Sequence, residues 1–451
     1  MNRFIHRSIL LPAFETVIKR RKTFRYWAGL ERTQWLPRAQ IEEIQFQALR
    51  RLVEHAYQHC RYYRQTWDQL GVQPSQLKTP ADIGRWPVID RDTIREHREA
   101  MRDPSAKLIT KATGGSSGVP LQFDLDHESN DRRNAAWHRG YGWAGAEPGS
   151  RQLSLWGVPL GERSTRARIK DSLYHALYRR RIVSCFDSVD LAARFAAEVD
   201  HRRPDVIVAY TNPLYEVSRV FKSTGRTLGH RPRAIVVGAE KLHGFQRKEI
   251  EAAFGAPVFE TYGSREFMLI GAECERHNGL HQTSEHLLVE VLDDDGAPTP
   301  DGEEGNVVIT DLYNYGMPFV RYANGDRAIA GFAQCECGRG LPLLRQVVGR
   351  RLDMLVATDG RAIPGEFFPH LVKDFPSVRR FQVVQDEPGS IRFAIAADGM
   401  SPTERASLET QVRRAMGDGV RVDFEPVEQI PLTSAGKLQV VVNRIPRRKA
   451  G

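Results

Sequence analysis

Cysteine is scarce in this sequence: five in 451 residues, at positions 60, 185, 274, 335 and 337. An odd, sparse set in a long chain is no disulfide framework and fits a reducing, cytoplasmic compartment. Long apolar runs are missing too. None approaches the roughly 18 residues that a membrane-spanning helix needs, so no transmembrane span is expected. Low-complexity stretches are absent, and 41% hydrophobic with 27% charged residues is a globular composition. Nor is there a zinc-finger, RRM or basic-zipper pattern. The formal charge of +9 is scattered except for short clusters at 19–22, 179–181 and 447–449. It therefore reads as solvated faces, with no nucleic acid expected as partner. The amino-terminal stretch mixes basic residues with Ile9, Leu10, Leu11, Phe14 and Val17. It has neither the core nor the cleavage site of a signal peptide. An ordinary docking helix is the expected reading, an interfacial helix making peripheral membrane contact the alternative.

What is present is length and order. A chain of this size forms two or more packed units. Residues 39–70 carry Ile41, Ile44, Phe46, Leu49, Leu52 and Val53 near helical spacing, which predicts one helix closed by Gly71. From about 150, helical stretches alternate with short apolar runs at 205–210, 233–237 and 257–259. That alternation predicts an α/β core with parallel strands. From about 286 the strands shorten between turns, a β-rich subdomain. A last unit begins near 353 and reads strand, strand, helix, strand. The domains expected are an N-terminal helical extension (1–38), a large domain (39–350) and a small C-terminal domain (351–451).

Four motifs carry chemistry. Thr113, Gly114, Gly115, Ser116, Ser117 and Gly118 form a loop whose N–H groups and hydroxyls can cradle an anion, or merely a turn. No Lys-Ser/Thr pair follows the glycine, so it is not a Walker A loop. Glu260, Thr261, Tyr262, Gly263, Ser264, Arg265 and Glu266 leave a strand with an aromatic, a glycine and a carboxylate that could stack a base and hold magnesium, or form merely a strand-exit turn. Asp326, in Arg321-Tyr322-Ala323-Asn324-Gly325-Asp326, can cap its turn or accept from two ribose hydroxyls. Lys437 closes Pro431-Leu432-Thr433-Ser434-Ala435-Gly436-Lys437 on a glycine turn.

Each motif is modest alone, but their ordered set resembles the adenylate-forming superfamily, and more narrowly its phenylacetate–CoA ligase and CapK-like branch. Gly238, Ala239 and Glu240 fit that branch's adenine-pocket motif, and Asp353-Met354-Leu355 with Gly360, Ile363, Pro364 and Glu366 fits its hinge segment. The resemblance spans about 45 to 445. It implies an α/β fold: a large N-terminal domain of several subdomains, with parallel sheets and helices plus a β-rich part, and a small mobile α+β C-terminal domain carrying the catalytic lysine. It implies an AMP-forming ligase that activates a carboxylic acid, aryl or similar, as its acyl-AMP and passes the acyl group to CoA. An amine, a sugar or a carrier-protein thiol is the alternative acceptor, and a non-catalytic scaffold keeping the fold is the rival reading.

Carried over by residue, Thr113 to Gly118 would hold the ATP phosphates, with Thr113 also counted as catalytic. Tyr262 and the Gly238–Glu240 loop would hold adenine, flanked by Glu260, Thr261, Gly263 and Ser264. Glu266 would bind magnesium, Asp326 the ribose with Arg350 nearby, and Lys437 would reach the α-phosphate and the acid. Arg265, Asn324 and Leu352 depart from the family pattern, Leu352 standing where the hinge aspartate is usual. Trp156, Tyr210, Tyr141 and Trp143 fall in the region of the acid pocket.

Cys274, Cys335 and Cys337 with one imidazole would complete a tetrahedral structural zinc site, free buried thiols being the alternative. Relatives in the branch carry a similar pattern around zinc, which implies His281 over His277 as the fourth ligand.

Overall fold

The computed structural model describes residues 5–445 apart from 114–120, 158–164, 186–189, 332–333, 351–354, 364, 366, 373–374, 376, 398 and 432–437; at 165–168, 350, 362, 369–370 and 379 only the backbone is described. The chain divides into two compact units, 1–324 with 328–347, and 325–327 with 348–451.

The first unit opens with a helix of two π turns, His6–Leu10 and Phe14–Ile18, flanking an α segment Leu11–Ala13. Next come α1 (Thr23–Thr33), α2 (Arg38–His59) and α3 (Arg61–Gln69). The expected single helix over 39–70 is thus two. Cys60 is extended (φ −111°, ψ 114°) and redirects the chain. Beyond the bend, Tyr63 and Trp67 pack into the same core as Leu49, Leu52 and Val53. Helix α4 (Arg91–His97) precedes the hairpin β1 (Leu108–Ala112) and β2 (Gln122–Asp126), and α5 (His127–Trp143) follows.

The centre is an alternating run: β3 (Gln152–Trp156), α6 (Thr165–Leu177), β4 (Arg180–Ser184), α7 (Leu191–Arg202), β5 (Val206–Tyr210), α8 (Thr211–Thr224), β6 (Ala234–Gly238), α9 (Gly244–Phe254) and β7 (Val258–Tyr262). Strands β4, β3, β5, β6 and β7 lie in that order and pair in parallel. Strands β5 and β6 are buried along their whole length, with Leu214, Val217 and Phe221 of α8 packed on one face and, on the other, Tyr141 of α5 and Ala144 just beyond its end. Covering both faces is why these strands read as continuous apolar runs.

The β-rich part expected after 286 continues this sheet. Strands β8 (Gly271–Glu273), β9 (Leu280–Gln282), β10 (Leu287–Leu292), β11 (Glu304–Asp311), β12 (Tyr322–Ala330) and β13 (Leu343–Arg350) extend it to eleven, in the order β10-β11-β12-β13-β9-β8-β7-β6-β5-β3-β4. The direction changes at β7, which pairs in parallel with β6 and antiparallel with β8.

The second unit holds the hairpin β14 (Leu355–Val356) and β15 (Ala362–Ile363), helix α10 (Phe367–Val372), and a sheet of β16 (Val378–Glu387), β17 (Ser390–Ala397), β18 (Arg421–Pro426) and β19 (Val441–Asn443) in the order β18-β17-β16-β19. Helix α11 (Pro402–Met416) starts on a capping box between Ser401 and Glu404 and buries Leu408, Val412 and Met416 against Phe393 and Val383. Elements β16, β17, α11 and β18 follow the expected strand–strand–helix–strand order, to which the β14–β15 hairpin, α10 and β19 are additions not foreseen.

Candidate active site

Four parallel strands end on residues singled out from the sequence. Strand β3 ends at Trp156, β5 at Tyr210, β6 at Gly238 and β7 at Tyr262. The carboxyl ends of parallel strands are where open α/β sheets take ligands, because loops there diverge and leave a crevice. Trp156 and Tyr210 touch, ring centroids 4.2 Å apart. A Cβ on Gly238 would stand 2.5 Å from Thr261 Oγ1, so only glycine fits. Thr261 is fixed there by donating to Val237 O at 2.8 Å. Ala239 follows in the left-handed region, φ 69°. Glu240 then accepts from the Asn212 N–H at 2.8 Å, and its carbonyl accepts from Thr211 Oγ1 at 3.0 Å. Its carboxylate thus caps α8, where negative charge meets the helix dipole.

The turn after β7 is tight. A Cβ on Gly263 would lie 2.0 Å from Met268 O, and Ser264 O accepts from Met268 N at 2.7 Å. Glu266 is buried beyond that turn and accepts from Tyr322 Oη at 3.3 Å. Arg133, on α5, donates to the carbonyls of Arg265 and Glu266 at 2.7 and 3.0 Å. Along β12 the buried positions alternate through Tyr322, Asn324 and Asp326, placing all three on one face of the strand. Asn324 Nδ2 reaches Tyr262 Oη at 2.7 Å. Glu260 takes the N–H of Leu242 at 3.4 Å, and burial with Glu273 beside it pushes its carboxyl up to about 7.

At the β1–β2 hairpin, Thr113 closes the base of the phosphate-loop candidate. Its N–H meets Leu121 O at 2.9 Å, and its Oγ1 accepts from Leu121 N at 2.9 Å and Arg91 Nη2 at 2.8 Å. Gly114, Gly115, Ser116, Ser117 and Gly118 lie outside the described residues, as do Lys437, Leu352, Pro364, Glu366 and the Arg350 side chain. Lys111, two residues before Thr113, donates to Asn130 Oδ1 at 2.9 Å. Burial, with Arg133, Arg265 and Arg21 around it, lowers its ammonium to about 7.

Arg91, Lys111, Arg133 and Tyr322 were not singled out from the sequence. Only Tyr322 had a signal, since it sits inside the Arg321–Asp326 motif; the others join the site through contacts distant in sequence. Trp143, expected near the acid pocket, packs edge-on against His281 at 5.5 Å and donates to Gln34 Oε1 at 2.9 Å.

A second cluster lies where β8 and β9 meet the chain before β13. Ligand atoms of Cys274, His281, Cys335 and Cys337 all fall within 4.8 Å of one another. Cys274 and Cys335 sulfurs are 3.8 Å apart, and Cys337 Sγ is 3.3 Å from His281 Nε2. The donor set suits a tetrahedral metal. His281 Nδ1 faces Leu341 O at 3.2 Å, which fixes the proton there and turns the Nε2 lone pair toward the sulfurs. The N–H groups of Arg276 and Arg339 point at Cys274 and Cys337 sulfurs at 3.4 and 3.5 Å, an arrangement that favours thiolates. His277 is elsewhere, on Glu273 at 3.1 Å and against the Phe259 ring.

The fold is that of adenylate-forming ligases. A 2-hydroxyisobutyryl-CoA ligase in its postadenylation state, in complex with 2-HIB-AMP, superposes with a TM-score of 0.72 at 21% identity, covering 92% of this chain and 91% of that one. Within that class, residues 355–444 match the CapK C-terminal domain. The phenylacetate-coenzyme A ligase of Thermus thermophilus is 25% identical over 90% of this chain and 97% of its own length. Protein CapK of Staphylococcus aureus is 21% identical over 95% and 94%. The resemblance to the phenylacetate–CoA ligase and CapK-like branch, drawn from the motifs, is borne out.

Proposed function

We propose that this protein uses ATP to convert a carboxylic acid to its acyl-AMP and then transfers the acyl group to CoA. The observation that carries this reading is the convergence of Gly238, Tyr262, Glu266 and the Tyr322–Asn324 strand at the carboxyl ends of the parallel sheet. A carboxylate oxygen attacks the α-phosphorus and the bond to pyrophosphate breaks. No protein nucleophile is required, so catalysis rests on positioning and on cations and N–H donors around the phosphoryl oxygens. Tyr262 and the Gly238–Glu240 loop would hold adenine, with Glu260, Thr261, Gly263 and Ser264 shaping that turn. Asp326 with Arg350 would hold the ribose, and Thr113–Gly118 the phosphates. Glu266, a hard oxygen donor, would take magnesium, which would neutralise phosphate charge. Lys437 would bridge the α-phosphate and the acid. In the second half-reaction the CoA sulfur attacks the acyl carbonyl, AMP departs with the electron pair of the broken bond, and the thiol proton passes to solvent.

The Trp156–Tyr210 pair at the strand ends favours an aryl or medium-sized apolar acid. Cys274, His281, Cys335 and Cys337 would hold structural zinc, tying β8 and β9 to the segment before β13. The fit rests on the three sulfurs and the Nε2 facing one point. A reducing cytoplasm suits these thiols. A second reading concerns the acceptor alone. Leu352 in place of the hinge aspartate counts against efficient domain rotation and with it the CoA step, an amine, a sugar or a carrier thiol being the alternative acceptors.

ATP–pyrophosphate exchange over a panel of aryl, fatty, amino and sugar acids tests the first half-reaction. Exchange with some acid, lost in Lys437→Ala, is expected. ATP binding without exchange for any acid moves the reading to a non-catalytic scaffold. Thioester detected by mass after CoA addition separates the acceptors.

A further inference from the structure

The helix over His6–Ile18 is built inside out. A surface helix normally turns its apolar stripe inward and its polar face to water. Here the buried positions include His6 and Glu15 beside Leu11. Glu15, only 2% exposed, accepts from Tyr178 Oη at 2.6 Å and pairs with Arg21 at 3.5 Å. The outward positions Ile5, Ile9, Ala13 and Val17 recur every four residues as an apolar row, with Ile18 beside them and the small hydroxyls of Ser8 and Thr16 also exposed. Val17 keeps 72% of its surface in water. Helix α6 lies alongside, its Tyr174 ring 6.3 Å from Phe14. It adds Ile169 and Leu173, one turn apart, with Leu173 66% exposed. Leaving this much aliphatic surface in water while sheltering a carboxylate is unfavourable for a helix whose outer face meets only solvent.

Charge tells what covers it. The first thirty residues hold seven Lys or Arg and a single carboxylate, Glu15, which is the buried one. Arg20, Lys22 and Arg25, just after the helix, are exposed, as is Lys170 beside Ile169. Branched aliphatic side chains collared by cations match an anionic lipid surface, where the apolar residues enter the acyl boundary and the cations meet headgroups. A second copy of this chain would bring an equal collar of like charge against the first.

We propose that the face formed by Ile5, Ile9, Val17 and Ile18 with Ile169 and Leu173 is a peripheral docking surface for an anionic membrane. The full chain is tested by flotation with vesicles of phosphatidylcholine alone and of phosphatidylcholine mixed with phosphatidylglycerol. Binding to the mixed vesicles, weakened by salt, is expected. The variant Ile9→Glu/Val17→Glu should bind at least roughly tenfold more weakly, since it removes aliphatic contact and adds repulsion. Leu173→Glu, on the other helix, should act in the same direction, and a melting midpoint unchanged from the wild type shows that both remain folded. Lys19→Gln/Arg20→Gln/Lys22→Gln should lose the preference for the mixed vesicles. Absence of binding to mixed vesicles, equal binding to both kinds, or binding undiminished in the folded glutamate variants overturns the proposal. So does a dimer in sedimentation that the glutamate variants dissolve, because a second copy would then own the face.

Discussion

Asn324 donates a hydrogen bond to the Tyr262 hydroxyl at 2.7 Å, joining residues 62 apart in sequence. It ties the end of β7, where the base would stack, to the strand that carries Asp326. The asparagine that departs from the family pattern therefore has a job here: it orients the aromatic ring.

Removing that bond should loosen ATP binding more than it slows chemistry. Tyr262→Phe and Asn324→Ala are each expected to raise the KM for ATP roughly fivefold to tenfold, the value of about one net hydrogen bond. The double variant should be no worse than the poorer single one, because both remove the same contact. Pyrophosphate-exchange kinetics measure this. Additive losses would show that the two side chains act separately.

The cysteine–histidine cluster predicts one zinc per chain in protein purified without added metal. Cys335→Ser should lose the metal and lower the melting midpoint by roughly 5 °C or more, since binding a preformed tetrahedral site contributes directly to folding. Chelation of the wild type should approach the same midpoint. Clearly substoichiometric zinc in the untreated protein would rule the site out.

Lys111 gives a pH dependence with a definite sign. Burial and its cationic neighbours lower its folded-state value to about 7 from the ordinary 10.5. Between those values the unfolded chain holds a proton that the folded protein has released. Stability contributed by this group therefore rises as pH climbs through that window. Melting midpoints measured from pH 6.5 upward, compared between wild type and Lys111→Met, should show a gain with pH that the variant lacks. Parallel curves would refute it.

The pair Arg139–Glu285 is buried, with a contact of 2.5 Å, and Thr33 also donates to Glu285 at 2.7 Å. Arg139→Met leaves a buried carboxylate without its cation and should cost about 3–5 kcal/mol. Adding Glu285→Gln should recover much of that loss, because the stranded charge is gone. Urea unfolding of the single and double variants checks both. A single-variant cost under about 1 kcal/mol would mean that water reaches the site.

The parallel core was legible because both faces of β5 and β6 are covered, leaving unbroken apolar runs such as Val206-Ile207-Val208-Ala209. The motif residues at the strand ends were legible because glycine is forced there: Gly238 and Gly263 have no room for a Cβ. The break at Cys60 was hidden, since the apolar spacing continues across it and no proline or glycine marks it. The union of the β-rich part with the parallel strands was hidden as well. It depends on which strand adds beside β7, a pairing between segments and not a property of either.

By itself the sequence determined the order of elements, the residue types at the strand ends and the four possible metal ligands, because periodicity, backbone sterics and ligand chemistry are local. Only the tertiary structure decided which of those residues meet. It set Asn324 on Tyr262, Tyr322 on Glu266 and Arg91 on Thr113, and it gathered His281 with the three sulfurs, the histidine that the resemblance implied. The reason is geometric. A hydrogen bond or a coordination sphere requires atoms within a few ångströms, and sequence spacing does not set that distance once the chain has folded back on itself.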